Sequence, residues 1–373
     1  MTAEETPELL HPDRGLDAAD ERYSHLARSV LIAPWTAAGG RTDEATQLAA
    51  RTAGALNEVA RWANDGQAAD PTACAWLAYL RWAEANGAQL PEDAPHPPAD
   101  DFERHHPALA RPGEHRGDSF TALATGALGE VARPVLPRAQ SPEVLARTAV
   151  YGLLPTVGWK PLVALAVDSA AITHGSPEAQ TAAVTAALAV HAAVEAAHAS
   201  RPGRQVPLGH VVFESVRVSA LVTRPAPLTR ELLERCCDPA ARAELLEGAY
   251  TGTAPQEAEA AASYALALGL AALLTAAESN APQETGTGDD VARRACERLP
   301  GDSVVLRAAR TLAVTVAAAR WGLGAAASAR PAPDDHAEGA GQNPAGAEQT
   351  AEDDEVRQEL LALAEEWNGL WRS

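Results

Sequence analysis

Alanine supplies 86 of the 373 residues, and this excess limits what the chain can become more than any motif does. Alanine is the strongest helix former, so long windows of it argue for an almost wholly helical protein. β-branched residues are sparse and aromatics reach only 4%, and strand signals are nearly absent. Small side chains also let helices approach one another closely. With 46% apolar residues, the chain can bury a large core as one big domain or two of ordinary size.

Helical patterns cover most of the sequence. The first strong one runs from Glu44 to Trp62, with Ala45, Leu48, Ala49, Leu56, Val59 and Ala60 on one face. Pro71, after Asp70, opens a second that reaches Asn86 and is closed by Gly87. Pro91 to Pro112 reads as a long loop rich in Pro, His and charge. Further helices are expected over 119–130, 141–154, 161–172, 177–199, 209–222, 229–237, 239–246, 255–277, 289–299 and 306–325. Ser176 stands at the cap position of the 177–199 pattern, with Pro177 and Glu178 in its first turn. HVVFESVRVSALV is the one run ambiguous between strand and helix.

The expected organisation has four parts. Residues 1–30 show little apolar periodicity and read as a loosely packed segment, and 31–329 read as an all-α domain. Residues 330–354, rich in Pro, Gly, Ala and acid, read as a flexible linker. Residues 355–373 form an amphipathic helix with Val356, Leu360, Leu363, Trp367 and Leu370 or Trp371 at helical spacing. Such a helix either folds back on its own domain or binds a protein partner on a tether.

Charge and cysteine use exclude several classes. A formal net charge of -20 argues against nucleic acid and against anionic membrane, both of which need a basic face. Ala260 to Ala277 is eighteen residues without a charge, but it is half alanine with no basic flank, so it reads as a buried central helix. Cys74, Cys236, Cys237 and Cys296 make no CxxC pair and no zinc spacing with histidine. Reduced thiols and an acidic N-terminus without a secretory pattern point to a cytoplasmic chain. Lys160 is the only lysine and Met1 the only methionine, a bias that points to a high-GC bacterial genome.

Nucleophile and phosphate motifs are missing: there is no GxSxG, no Walker A and no GxGxxG after a strand. Three segments at helix starts remain, Thr42-Asp43-Glu44, Thr173-His174-Gly175-Ser176-Pro177-Glu178-Ala179 and Gly301-Asp302-Ser303. Oxygen side chains there suit a hard cation such as Mg²⁺, and each taken alone also serves as an ordinary helix cap.

Together these segments resemble the ADP-ribosylglycohydrolase family. Thr42-Asp43-Glu44-Ala45 is similar to its Thr-Asp-Asp-Thr metal motif, and LARTAVYGLL, with Arg147, to its Met-Arg-x-x-Pro-x-Gly-Leu segment. ITHGSPEAQTAAV is similar to its Thr-His-x-x-Pro-x-Ala segment. GDSVVLRAARTLAVTVAAARWG is similar to Gly-Asp-Thr/Ser-Asp-Thr and the following helix that ends in Ala-Arg-x-Gly.

The resemblance implies a compact all-α bundle that removes ADP-ribose from protein side chains with two Mg²⁺ ions. It implies Thr42, Asp43, Glu44 and Asp302 as metal ligands, Arg147 and His174 on the substrate side, and ADP-ribose or an ADP-ribosylated protein as partner. His174 in that family mainly starts a helix and packs, and a mid-helix arginine such as Arg147 commonly forms ion pairs. Tryptophans 62, 76 and 82 read as core rather than as an adenine stack.

Departures from the family pattern weigh against catalysis. Val304 and Val305 stand where it has Asp and Thr, Glu44 replaces an Asp, Ala45 replaces a Thr, and residues 1–40 contain no Gly-Asp opening segment. Isopropyl groups cannot ligate Mg²⁺, so at most one metal position is expected. The expectation is thus a family-like protein with a degraded binuclear site and weak or no hydrolysis, binding ADP-ribose or a partner. An active Mg²⁺-dependent hydrolase and a non-enzymatic helical scaffold are the two alternatives.

Overall fold

Capping chemistry sets where the helices begin in the computed structural model, which describes residues 7–113, 115, 117–201, 203–222, 224–251, 261–279, 287–324 and 344–372. The first seven helices are α1 (Glu21–Ala37), α2 (Glu44–Asn64), α3 (Pro71–Ala85), α4 (Asp101–His105), α5 (Asp118–Leu123), α6 (Val144–Ala149) and α7 (Trp159–Ala171). They are followed by α8 (Pro177–Ala199), α9 (Leu208–Ser219), α10 (Pro227–Cys237), α11 (Pro239–Thr251), α12 (Ala261–Glu278), α13 (Gly288–Glu297), α14 (Val304–Trp321) and α15 (Pro344–Leu370). Among the described residues there is no β-strand, and the ambiguous HVVFESVRVSALV run is helical as α9. The beginning of the 255–277 pattern lies outside the described residues.

Asp43 and Asp70 accept backbone N–H bonds at the starts of α2 and α3, and Asp100 and Glu103 close a reciprocal capping box on α4. Ser303 caps α14, which stops at Gly322 in a positive-φ conformation (φ 74°) that favours glycine. Ser176 stands before α8 with extended backbone, but its hydroxyl makes no capping bond. Pro177 starts that helix without an N–H to satisfy.

Helix α8 forms the centre of the bundle, packed against α6, α7, α9, α12 and α14, and α14 in turn lies against α1, α12 and α13. Alanine makes these approaches possible. A Cβ on Gly269 of α12 would lie 2.6 Å from the Ala309 carbonyl oxygen of α14, so no side chain fits between the two backbones. Both α8 and α12 are apolar and long enough to cross a membrane, and 83% and 78% of their most apolar windows are buried inside the protein.

The N-terminal expectation requires correction. Leu9, Leu10 and Leu16 are buried, and α1 buries Tyr23, Leu26, Ala27, Val30, Leu31, Ile32 and Ala33. The apolar residues of α1 concentrate in its second half, after a first turn that is charged and polar, so the periodicity starts late in the 1–30 segment. The tail also differs. Residues 325–343, which include much of the expected linker, lie outside the described residues, and α15 already begins at Pro344, ahead of the expected 355. Its apolar residues fold back: Val356, Leu360, Leu363, Ala364 and Trp367 are buried, and α15 packs on α1 and α2.

Trp367 donates its indole N–H to the Tyr23 hydroxyl (3.0 Å), and Tyr23 donates to the Leu153 carbonyl oxygen (2.6 Å). Trp82 is buried and donates to Gln47 Oε1 (2.8 Å), whereas Trp62 is 44% exposed and is not core. Trp367→Ala should therefore lower stability by about 3–5 kcal/mol, as for large core truncations. Tyr23→Phe should cost about 1–3 kcal/mol by leaving the Leu153 carbonyl and the Trp367 indole without partners. Urea denaturation midpoints of the two variants check both outcomes.

Candidate functional site

Five chain segments meet around one pocket of about 600 Å³. The start of α2 contributes Thr42, Asp43, Glu44 and Gln47, and the start of α14 contributes Asp302, Val304 and Arg307. The remaining wall comes from Arg111 and Gly117, from Glu143 before α6, and from Glu352, Asp353 and Val356 of α15. The four residues expected as metal ligands, Thr42, Asp43, Glu44 and Asp302, thus face a shared space. Arg147 and His174 do not line it, being fully buried behind its wall.

The carboxylates near the expected metal position are already engaged. Asp43 Oδ1 accepts from the Thr46 backbone N–H (2.9 Å) and hydroxyl (2.8 Å) as the cap of α2. Burial raises the Asp43 carboxyl above its ordinary range, and the Thr46 bonds and the charges of Arg307 and Arg41 oppose that rise. Asp302 Oδ2 lies 3.0 Å from Arg307 Nη1 and Oδ1 lies 3.9 Å from Arg310 Nη2. The Arg307 hydrogen bond holds its carboxyl below the usual range. Arg307 also donates to the Asp302 carbonyl oxygen (2.7 Å).

A magnesium centre does not fit this arrangement. Mg²⁺ takes near-octahedral oxygen at about 2.0–2.1 Å. Val304, 46% exposed on the pocket side, offers no oxygen, and a guanidinium sits on Asp302 where a cation would have to approach. Among the described residues, no group of three or more His, Cys, Asp or Glu is placed to hold a metal.

Behind the wall runs a buried polar chain. Arg147 donates to the Ser169 carbonyl oxygen (2.8 Å) and to the Thr173 hydroxyl (2.6 Å), and its guanidinium lies 5.0 Å from the Tyr79 ring centroid. Thr173 donates to His174 Nδ1 (2.7 Å), and His174 Nε2 then donates to the Ser141 carbonyl oxygen (3.0 Å). This assignment follows from the partners, because a carbonyl can only accept. Burial pushes the His174 pKa down, so the ring is neutral at pH 7 despite Glu143 Oε1 at 3.6 Å. Arg147 and His174 are therefore placed to shape the Ser141–Glu143 turn and do not reach the pocket themselves.

With this geometry in place, the comparison with known families is decisive. The ADP-ribosylglycohydrolase family model matches residues 4–360. The chain belongs to the ADP-ribosylglycohydrolase family. No curated protein matches it. In this family member the first and last of the segments that resemble the family motifs meet at the pocket, where Arg307 pairs with Asp302. Sequence reasoning missed Arg307, Glu143, Glu352 and Asp353. Arg307 stands one helical turn after Ser303 within the segment already singled out, and Glu143 stands beside Pro142 at the start of α6, so adjacency was the only available signal.

The buried histidines give the protein a definite pH response. His191 on α8 donates from Nδ1 to the Gly152 carbonyl oxygen (3.2 Å), and burial lowers its pKa to about 4. A histidine with a depressed folded pKa binds fewer protons folded than unfolded, so its share of stability is full above about pH 6.5 and is lost as pH falls. Between pH 6.5 and 4, His191 should remove roughly 3 kcal/mol. Denaturant titrations of wild type and His191→Gln across that range should show a shallower decline in the variant.

Proposed function

We propose that this family member has exchanged Mg²⁺-dependent hydrolysis for ligand binding at the same pocket. The supporting observation is the Arg307–Asp302 ion pair, with Arg307 close enough to Asp43 to act on its charge. A fixed guanidinium neutralises these carboxylates without offering an open coordination position. It can neither polarise a substrate oxygen as a Lewis acid nor generate a bound hydroxide. Glycosidic cleavage also needs a positioned acid or nucleophile on the reacting face. Asp43, tied into the cap of α2, and Asp302, paired to two arginines, are poorly disposed for either role.

Family membership makes ADP-ribose and ADP-ribosylated protein the first ligands to try. From the cysteine spacing in the sequence we propose a reducing compartment such as the cytoplasm. The scaffold reading that relied on a tethered partner helix loses its support, because Trp367 and its apolar neighbours on α15 are buried in their own domain.

An ADP-ribosylated protein incubated with and without Mg²⁺ should release no more ADP-ribose in the presence of the metal, and Asp43→Ala and Asp302→Ala should change nothing. Mg²⁺ should leave the thermal midpoint unmoved, since a ligand that binds only the folded state would raise it by mass action. Mg²⁺-dependent release that either substitution abolishes would overturn the reading in favour of a working hydrolase.

A further inference from the structure

One face of α15 holds a piece of the pocket wall that belongs to no helix. Residues 106–111, between α4 and α5, make a single turn in which the Ala110 N–H reaches the His106 carbonyl oxygen (3.1 Å). A turn of this kind leaves its first N–H groups without a backbone acceptor. Ala108 and Leu109, both buried, donate theirs to the two carboxylate oxygens of Glu359, at 3.0 and 2.9 Å. Hydrogen bonds from backbone N–H to an ionised carboxylate are among the stronger ones in a protein. Here the carboxylate stands 250 residues after the Leu109 N–H that it accepts.

Glu355 lies four residues before Glu359 and so on the same face of α15. It pairs with the Arg111 guanidinium, and this one face therefore grips both the backbone and a side chain of the turn. From the other side, Gln47 of α2 donates to the Arg111 carbonyl oxygen (2.7 Å), while its Oε1 accepts from the Trp82 indole. The turn is held between α2 and α15. Val356, Leu360 and Leu363 are buried beneath the two glutamates, which fixes the helix that carries them.

The tie bears on more than stability, because the residues that it holds face the pocket. Ala108, Arg111 and Pro112 all line it, and Arg111 is one of three guanidiniums among the described lining residues. The place of the turn thus sets both the width of the pocket and the position of a charge within it. There is no slack toward α2: a Cβ on Gly113 would lie 2.9 Å from Gln47 Nε2. Without its acceptors on α15, the turn would have to move outward until the two N–H groups met water.

We propose that Glu359 is a positioning residue for this pocket: by fixing the Ala108–Arg111 turn from the last helix, it sets how tightly a ligand is held. Glu359 is not among the lining residues and makes no contact with the ligand itself. This inference rests on the reading that the pocket binds a ligand, and it names what controls that binding.

Two measurements on the full chain test it. Hydrogen exchange read by mass spectrometry reports on the turn with no ligand present, and calorimetric titration with ADP-ribose in the absence of Mg²⁺ reports on the pocket. Glu359→Gln keeps one acceptor and turns the other oxygen into a donor that faces an N–H. Exchange over 106–113 should rise roughly tenfold, and ADP-ribose affinity should fall roughly tenfold. Glu359→Asp keeps the charge on a shorter stem, should lie between wild type and Glu359→Gln in both measurements, and serves if Glu359→Gln does not fold. Arg242→Ala breaks the pair with Glu278 on α11 and α12, away from the pocket, so it should lower stability and leave the affinity unchanged.

Unchanged exchange over 106–113 would overturn the inference, as would an ADP-ribose affinity that Glu359→Gln leaves intact or that Arg242→Ala lowers as much. A wild-type protein that binds no ADP-ribose would count against that ligand, and the exchange result would then decide the role of Glu359 in holding the turn. Mg²⁺-dependent ADP-ribose release would overturn the reading of the pocket as non-hydrolytic and leave the exchange result standing.

Discussion

Close backbone approach between helices is the constraint on which the rest of the structure depends. Where α12 passes α14, Gly269 lies so near the Ala309 carbonyl that not even a methyl group would fit. Along α8, alanine after alanine is fully buried between Val184, Leu188, Val190 and Val194, so much of the contact is made by backbone and Cβ. Interiors packed to this density have little room to relax. One added methylene at such a crossing would push whole helices apart, and because α14 begins at the pocket, the displacement would be felt at Asp302 and Arg307.

The pocket keeps two of the family-like segments face to face without an intact metal-binding cluster among the described residues. The starts of α2 and α14 still face each other across it, each capped by a side-chain oxygen. Between them, Arg307 and Arg310 of α14 itself lie against the Asp302 carboxylate. A tethered guanidinium makes directional hydrogen bonds to carboxylates and exchanges with nothing in solution. The buried Arg147–Thr173–His174 chain supports the opposite wall, where Glu143 is held.

The fold class was legible because helix formation is dominated by local composition and capping. The 177–199 helix was bounded correctly from Ser176, Pro177 and the apolar run alone, and Asp43 and Asp70 marked the starts of α2 and α3. The N-terminal segment was underrated, because Leu9, Leu10 and Leu16 lie in irregular chain and the apolar residues of α1 are concentrated in its second half, after a charged first turn. At the site, the sequence identified Thr42, Asp43, Glu44 and Asp302 through their resemblance to family motifs. It could not show that Arg307 folds back onto Asp302, nor that Arg147 and His174 point into the core. Glu143, Glu352 and Asp353 stayed hidden for a different reason: they meet only after segments more than two hundred residues apart are brought together.

The bond from Trp367 to Tyr23 ties the last helix to the first, and α15 supplies part of the pocket wall. During synthesis, α1 emerges long before its partner exists, so its buried face must wait for nearly the entire chain to be made. The pocket is therefore completed late in synthesis. Without α15 the pocket would keep the walls from α2 and α14 and lose the side formed by Glu352, Asp353 and Val356, so a wall of the pocket depends on a contact made at the far side of the first helix.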